Sequence, residues 1–318
     1  MKKSLQNICI ILLTVSMIFL SACKKDEGKS IVIAEQYGLA YAPLQIIKAN
    51  KTMERLLPEV DVTWVRLGNT AAIREAVIAG KVDAGFLGIP PFLIARDKGM
   101  DWKIFTGLSR APLGLVADTR KAPSLDSLLE ERRIALPQPG SIQHILLSME
   151  AERTYGDHTA FDKNLVALKH PDGMNGLISG SIDAHFTSPP FIFQEIETES
   201  NGEYPYKVLL TGEEAFGGEF TFIVGMVTAE YLAENEEIVK ALKMALAEGM
   251  NIITSRPAQA AKTLSGIYDL DEEKIFEYLT KPGTAYTTKI QGLDVFIDFM
   301  ERAGYLQDFI IPEQVIAQ

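Results

Sequence analysis

The chain is expected to fold as an α/β protein of two related lobes, and three observations predict it. Short β-rich runs alternate with helical segments along most of the sequence, as in sheets covered by helices. The alternation starts afresh near the middle of the chain. Two segments, 79–92 and 179–191, repeat one pattern of residues.

Each element has its own signal. Ile31 to Ala34 is a short apolar strand, and Pro43 to Asn50 a helix with proline in its first turn. Val60 to Leu67 alternates and is β-rich. Thr70 to Ala79 places Ile73, Ala76 and Val77 at helical spacing and stops at Gly80. Strands are expected at Ala84 to Leu87, Lys103 to Leu108 and Leu113 to Ala117, with a helix at Pro91 to Asp97. The second series opens with a helix capped by Ser124 and running to about Glu131. It continues with strands at Arg133 to Leu136, Leu165 to Leu168 and Ala184 to Thr187. Between and after them come helices at Ile142 to Tyr155, Gly173 to Ile178 and Phe191 to Thr198. Two more strands, Lys207 to Leu210 and Thr221 to Val227, precede a helical end. There Ile238, Ala241, Leu242, Ala245 and Leu246 form one apolar face behind Glu236 and Glu237. Further helices are expected at Pro257 to Leu264, Glu272 to Leu279 and Gln291 to Ala303. Short strands separated by helices favour parallel pairing.

The repeat ties the two series together. AGKVDAGFLGIPPF (79–92) and SGSIDAHFTSPPF (179–191) share a small residue, Gly, Val or Ile, Asp-Ala, Phe and Pro-Pro-Phe. Each reads as one corner: a helix ends at Gly80 or Gly180, Asp83 or Asp183 fixes the turn, and a strand follows.

The N-terminus carries Lys2 and Lys3 and then an uncharged apolar run from Ile8 to Leu20. That run is shorter than the roughly 20 residues a spanning helix needs, and has the length of a secretory h-region. Leu20-Ser21-Ala22-Cys23 directly after it resembles the lipobox of bacterial lipoproteins. The resemblance implies cleavage of 1–22 and a lipid on Cys23, with 23–30 as a polar tether. The only other cysteine, Cys9, lies in the leader, so the mature domain can hold neither an internal disulfide nor a cysteine-based metal or redox motif.

Charge excludes a further class. With Lys2 and Lys3 removed, 29 basic residues face 42 acidic ones. A net −13 disfavours nucleic acid, whose phosphates need Lys and Arg. A P-loop, GxGxxG, HExxH and GxSxG are all absent, and the four histidines are scattered. Neither a catalytic residue, a cofactor nor a metal site is expected.

Gly38 to Pro43 (GLAYAP), Gly80 to Gly85 with Gly88 and Pro90, Pro139-Gly140-Ser141 and Ser179 to Ala184 (SGSIDA) carry a resemblance over about residues 31–310. The chain resembles the nitrate/sulfonate/taurine-type solute-binding proteins of ABC importers, which include binders of thiamine pyrimidine precursors. The resemblance implies a type II periplasmic-binding-protein clamshell with an interlobe ligand cleft. Lobe one would be 30–115 and 213–318, lobe two 116–212, with a hinge near Val116 and Leu210. It implies a monomer on the outer face of a membrane, held by its lipid and delivering a small solute to a permease and its ATPase. A sensor module is the competing role. Fungal relatives that make the thiamine pyrimidine raise an enzyme as a third, though secretion and lipidation suit capture.

Open α/β sheets bind ligands beyond the carboxyl ends of their strands. That rule selects Gln36, Tyr37 and Tyr41 after the first strand, Asn69 and Thr70 after the second, and Gly88 and Ile89 after the third. In lobe two it selects Gly140, Ser141 and His144, and Thr187 with Ser188. Ser141 is either a helix cap or an anion contact. His144 could donate to an anion or cap its neighbours. Arg110 could pair with a carboxylate or sulfonate, or be a solvated arginine near the hinge. Tyr37 and Tyr41 could stack on a ring or belong to the core. The mixture favours a small organic anion or zwitterion of the sulfonate, taurine or nitrate kind, with a pyrimidine-like nitrogenous ring as the alternative.

Overall fold

The computed structural model describes residues 29–317; the leader, Cys23 and most of the tether lie outside them. Eleven strands form two sheets: β1 (Ser30–Glu35), β2 (Asp61–Arg66), β3 (Ala84–Gly88), β4 (Trp102–Arg110), β5 (Gly114–Asp118), β6 (Ile134–Leu136), β7 (Leu165–Ala167), β8 (Ala184–Thr187), β9 (Tyr206–Thr211), β10 (Ile223–Thr228) and β11 (Ala285–Tyr286). The helices are α1 (Ala42–Ala49), α2 (Thr52–Leu56), α3 (Thr70–Ile78), α4 (Ile89–Asp97), α5 (Ile142–Tyr155), α6 (His170–Ser179), α7 (Phe191–Ile196), α8 (Gly212–Phe216), α9 (Ala229–Glu234), α10 (Glu236–Ser255), α11 (Pro257–Tyr268), α12 (Glu272–Thr280), α13 (Leu293–Arg302) and α14 (Pro312–Val315).

The first sheet runs β11-β4-β10-β3-β1-β2 and the second β7-β6-β8-β5-β9. Apart from β11 they share one plan. In each, a strand pairs in parallel with two neighbours: β1 with β2 and β3, β6 with β7 and β8. In each, the next strand is antiparallel to both of its neighbours: β10 between β3 and β4, β5 between β8 and β9. The sheets are therefore mixed, where strand–helix alternation favours parallel pairing. The cause is visible in the chain order. β5 follows β4 but joins the second sheet, and β10 follows β9 but joins the first, so each antiparallel strand enters from the other lobe.

The chain consequently crosses between sheets twice, through 111–113 and through 212–222. Val116 and Leu210 lie inside β5 and β9, where Leu115 pairs with Leu210 and Val116 with Val208. Arg110, at the end of β4, forms an ion pair with Glu219 in the second crossing. It thus joins the end of β4 to the second crossing segment.

The repeated corner is the same structure twice. Gly80 and Gly180 both adopt positive φ (64° and 75°), which glycine takes without a Cβ penalty. Asp83 accepts the Val32 N–H at 2.8 Å, and Asp183 the Arg133 N–H at 2.9 Å. Each carboxylate thereby pins its strand, β3 or β8, to the start of the parallel neighbour.

Two of the expected helices differ from the sequence reading, and the short helices α2 and α8 are not among those expected. The helix expected after Ser124 is a single 3₁₀ turn at Asp126–Leu128. Ser127 Oγ donates to the Ser124 carbonyl and accepts the Ser124 N–H, and such local bonds compete with a helix. The helix expected from Gly173 begins at His170, with Pro171 occupying its first turn. The long helix α10 buries the expected face: Ile238, Ala241, Leu242, Ala245 and Leu246 are all in the core.

Candidate functional site

In both lobes the parallel strands run toward the interlobe cleft and hand over to helices there. The residues after β1, β2, β3, β6 and β7 converge on one narrow cavity of about 30 Å³. Lobe one supplies Gln36, Tyr37, Tyr41, Gly68, Thr70, Gly88 and Pro91, with Phe222 and Ile223 from the second crossing and the start of β10. Lobe two supplies Pro137, Ser141, Ile142, Gln143 and His170.

The N-termini of α3, α4, α5 and α6 all reach this cavity, through Thr70, Gly88, Ser141 and His170. Pro90, Pro91 and Pro171 have no N–H to give, and those of Ala71, Ala72 and His144 are already taken, so the positive potential here comes mainly from the helix dipoles. None of the lining residues is a carboxylate. The environment therefore suits an anion or a strong acceptor and disfavours a cation.

Polar side chains in the cavity are held by neighbours. Gln36 donates to Thr70 Oγ1 at 3.3 Å and to the Phe86 carbonyl at 3.4 Å. Ser141 caps α5, its hydroxyl accepting the His144 N–H at 3.3 Å. The Arg66 guanidinium lies 5.6 Å above the Tyr37 ring and pairs with buried Glu35 at 3.2 Å. Burial, aided by Glu35, pushes the Tyr41 hydroxyl far up, so it remains a donor at any working pH.

Thus Gln36, Tyr37, Tyr41, Thr70, Gly88 and Ser141 line the cavity as the strand-end rule selects them. Seven others stand elsewhere. Asn69 turns back to cap α3, accepting the Ala72 N–H at 3.0 Å. Ile89 is a fully buried core residue. Arg110 is spent at the crossing, on Glu219 and Gln291. His144 accepts the Gly140 N–H on Nδ1 at 2.9 Å, which leaves its Nε2–H to donate to Asp162 at 3.0 Å. Gly140 and His144 face a separate lateral pocket shared with Arg74, Lys98 and Tyr305. Thr187 lies behind His170, with Oγ1 3.2 Å from its Nδ1, and Ser188 is buried beside Gly38.

Two polar lining residues escaped the sequence reading: Gln143 and His170. His170 is the first residue of the helix after β7, a position the strand-end rule picks out. It is lost when that helix is started at Gly173. Gln143 sits one residue inside the helix that Ser141 caps.

The lobes meet closely around the site. The Leu39 N–H donates to the Pro189 carbonyl at 2.9 Å, and the Ala71 N–H to Gln138 Oε1 at 3.1 Å. Gly38, with φ of 117°, lets that contact form, because a Cβ there would lie 3.0 Å from the Pro189 oxygen. Among the described residues no group of three or more His, Cys, Asp or Glu could hold a metal ion, and no helix is long and apolar enough to cross a membrane.

Comparison with known proteins agrees with this architecture. The alkanesulfonate-binding protein SsuA of Xanthomonas axonopodis pv. citri, bound to MOPS, superposes with a TM-score of 0.76 at 18% identity, over 92% of this chain and 99% of that one. SsuA of Escherichia coli gives 0.69 at 20% identity, over 91% and 97%. The nitrate-binding protein NrtA of Synechocystis PCC 6803 gives 0.70 at 14% identity, over 91% and 84%. The fold is thus that of the periplasmic binding proteins. A comparison with curated proteins finds no match. A family model described as NMT1/THI5 like matches residues 58–260. On that match, which spans both lobes and most of the residues around the cavity, the chain belongs to the NMT1/THI5-like family.

Proposed function

We propose that the protein is the extracytoplasmic receptor of an ABC importer, closing its lobes on a small organic anion or zwitterion and delivering it to a permease. The observation that carries the reading is the cavity itself: four helix N-termini and neutral donors converge where no carboxylate does. The solved proteins of this fold include binders of alkanesulfonates and of nitrate. Residues 1–22 act as the leader and Cys23 as the lipidated anchor, which tethers a monomer outside the membrane. The site captures and releases its solute unchanged. Residues 111–113 and 212–222 serve as the hinge between lobe one and lobe two.

A second reading has its own support. Tyr37, Tyr41 and Phe222 give the cavity aromatic faces on which a pyrimidine-like ring could stack. A thermal-shift panel followed by calorimetry separates the two. Saturable one-to-one binding of taurine, an alkanesulfonate or nitrate supports the anion. Binding confined to an aminopyrimidine replaces it with the ring.

A further inference from the structure

Three ionisable side chains, those of His170, His185 and Glu195, are buried behind the cavity. His170 forms part of the cavity wall. Its Nε2 lies 3.3 Å from Gln143 Nε2, and its Nδ1 lies 3.2 Å from His185 Nε2. His185 Nδ1 in turn lies 2.6 Å from Glu195 Oε1. His185 and Glu195 are both 0% exposed, and Glu195 Oε2 has no hydrogen-bond partner. The fold makes room for this line. Gly173 of α6 faces His185, and a Cβ there would lie 2.5 Å from His185 Nε2. The Phe191 ring stacks on His170 at 5.7 Å and 23°. Apolar residues would fill this volume at lower desolvation cost, so a buried line of polar groups ending at a cavity points to a role there.

We propose that Gln143, His170, His185 and Glu195 act as one hydrogen-bonded relay that sets the His170 proton on Nε2, holds Gln143 Oε1 against it, and so presents the Gln143 NH₂ to a ligand with an anionic or strongly accepting oxygen. The inference rests on the solute-receptor reading and names the chemistry of its lobe-two wall.

The direction of the relay follows from proton counting. One proton lies between Glu195 Oε1 and His185 Nδ1. Whether it rests on the acid or on the ring, His185 keeps its other proton on Nε2 and donates it to His170 Nδ1. His170 must then carry its own proton on Nε2, at the cavity end. The Thr187 hydroxyl, 3.2 Å from His170 Nδ1, supplies a further donor to the same acceptor. With its amide turned so that Oε1 rather than Nε2 faces His170 Nε2, Gln143 accepts that proton and offers its NH₂ to the ligand. The line reverses if the shared proton is lost, which would leave a carboxylate in the core, or if the acid proton moves to Glu195 Oε2, which has no hydrogen-bond partner to receive it. Burial opposes it: desolvation pushes Glu195 well above the usual carboxylate range and His170 and His185 well below the usual imidazole range. Glu195, His185 and His170 are positioning residues that act through Gln143, whose NH₂ faces the ligand.

The test joins a ligand-free readout to a binding one. In the purified protein labelled with ¹⁵N-histidine, NMR at neutral pH should find His170 as the Nε2–H tautomer and His185 protonated on Nε2. A His170 Nδ1–H tautomer overturns the relay. In calorimetry with methanesulfonate and taurine, Glu195→Met should lower affinity tenfold or more while keeping or raising the melting temperature. Glu195→Gln, whose amide can again donate to His185, should recover affinity to within about threefold of the parent. Parent-like binding by Glu195→Met overturns the proposal. A parent protein that binds no anionic probe refutes the solute class instead, and the tautomers then decide the relay alone.

Discussion

Closing the two lobes should be separable from touching the solute, and Gln138 offers the separation. Its carboxamide belongs to lobe two, accepts the Ala71 N–H in the first turn of α3 in lobe one at 3.1 Å, and does not line the interlobe cavity. It is a helix cap supplied across the cleft. In an open form both groups would be solvated by water, so the bond favours only the closed one. Caps of this kind contribute about 1 kcal/mol, as do single net hydrogen bonds. Gln138→Ala should thus shift the open–closed equilibrium by about 1 kcal/mol and weaken solute binding by roughly fivefold. The loss should appear in the dissociation rate, because the ligand's route into an open cleft is unaltered. Calorimetry gives the affinity and stopped-flow fluorescence the two rates. An unchanged affinity, or a loss carried wholly by slower association, would refute closure through this contact.

Other substitutions sort site from scaffold. Ser141→Ala removes the α5 cap and a cavity hydroxyl together, so it should cost about 1 kcal/mol in chemical denaturation and also weaken binding. His144→Ala cuts the Gly140 and Asp162 hydrogen bonds and the edge contact with Tyr305 at 5.6 Å. It should lower stability by about 2 kcal/mol, yet leave solute affinity within roughly twofold in calorimetry. Asp118, buried with both carboxylate oxygens on Arg120, is held below the usual carboxylate range chiefly by that hydrogen bonding. A lowered folded-state pKa contributes stability above the unfolded value near 3.9 and loses it as pH falls toward the folded value. Asp118→Asn should therefore flatten the acid limb of a stability profile below about pH 4, leaving its neutral limb parallel to the parent.

Much of the fold is legible in the sequence because its signals are local. Helix α5 and strand β8 fall on the expected residues, and the doubled corner at Asp83 and Asp183 marks the duplicated lobe plan. The antiparallel entry of β5 and β10 is not legible, because it depends on which lobe a strand joins. The site divides in the same way. Backbone-near positions such as Gln36, Thr70, Gly88 and Ser141 follow from strand ends. The fate of a long side chain does not: Arg110 reaches Glu219, 109 residues away, and His144 turns to Asp162. His170 was hidden by a helix start misplaced by three residues. Its partners His185 and Glu195 come together only when α6, α7 and β8 pack.

A cavity without carboxylates, ringed by helix N-termini, should hold a small anionic solute. Calorimetric titration of the purified protein with taurine, an alkanesulfonate, nitrate and an aminopyrimidine tests it most directly, with His170→Phe as the paired variant. Saturable one-to-one binding of at least one of the three anionic or zwitterionic probes, weakened tenfold or more by His170→Phe, is the predicted result. Saturable binding of the aminopyrimidine alone, or anion binding indifferent to His170→Phe, would contradict it.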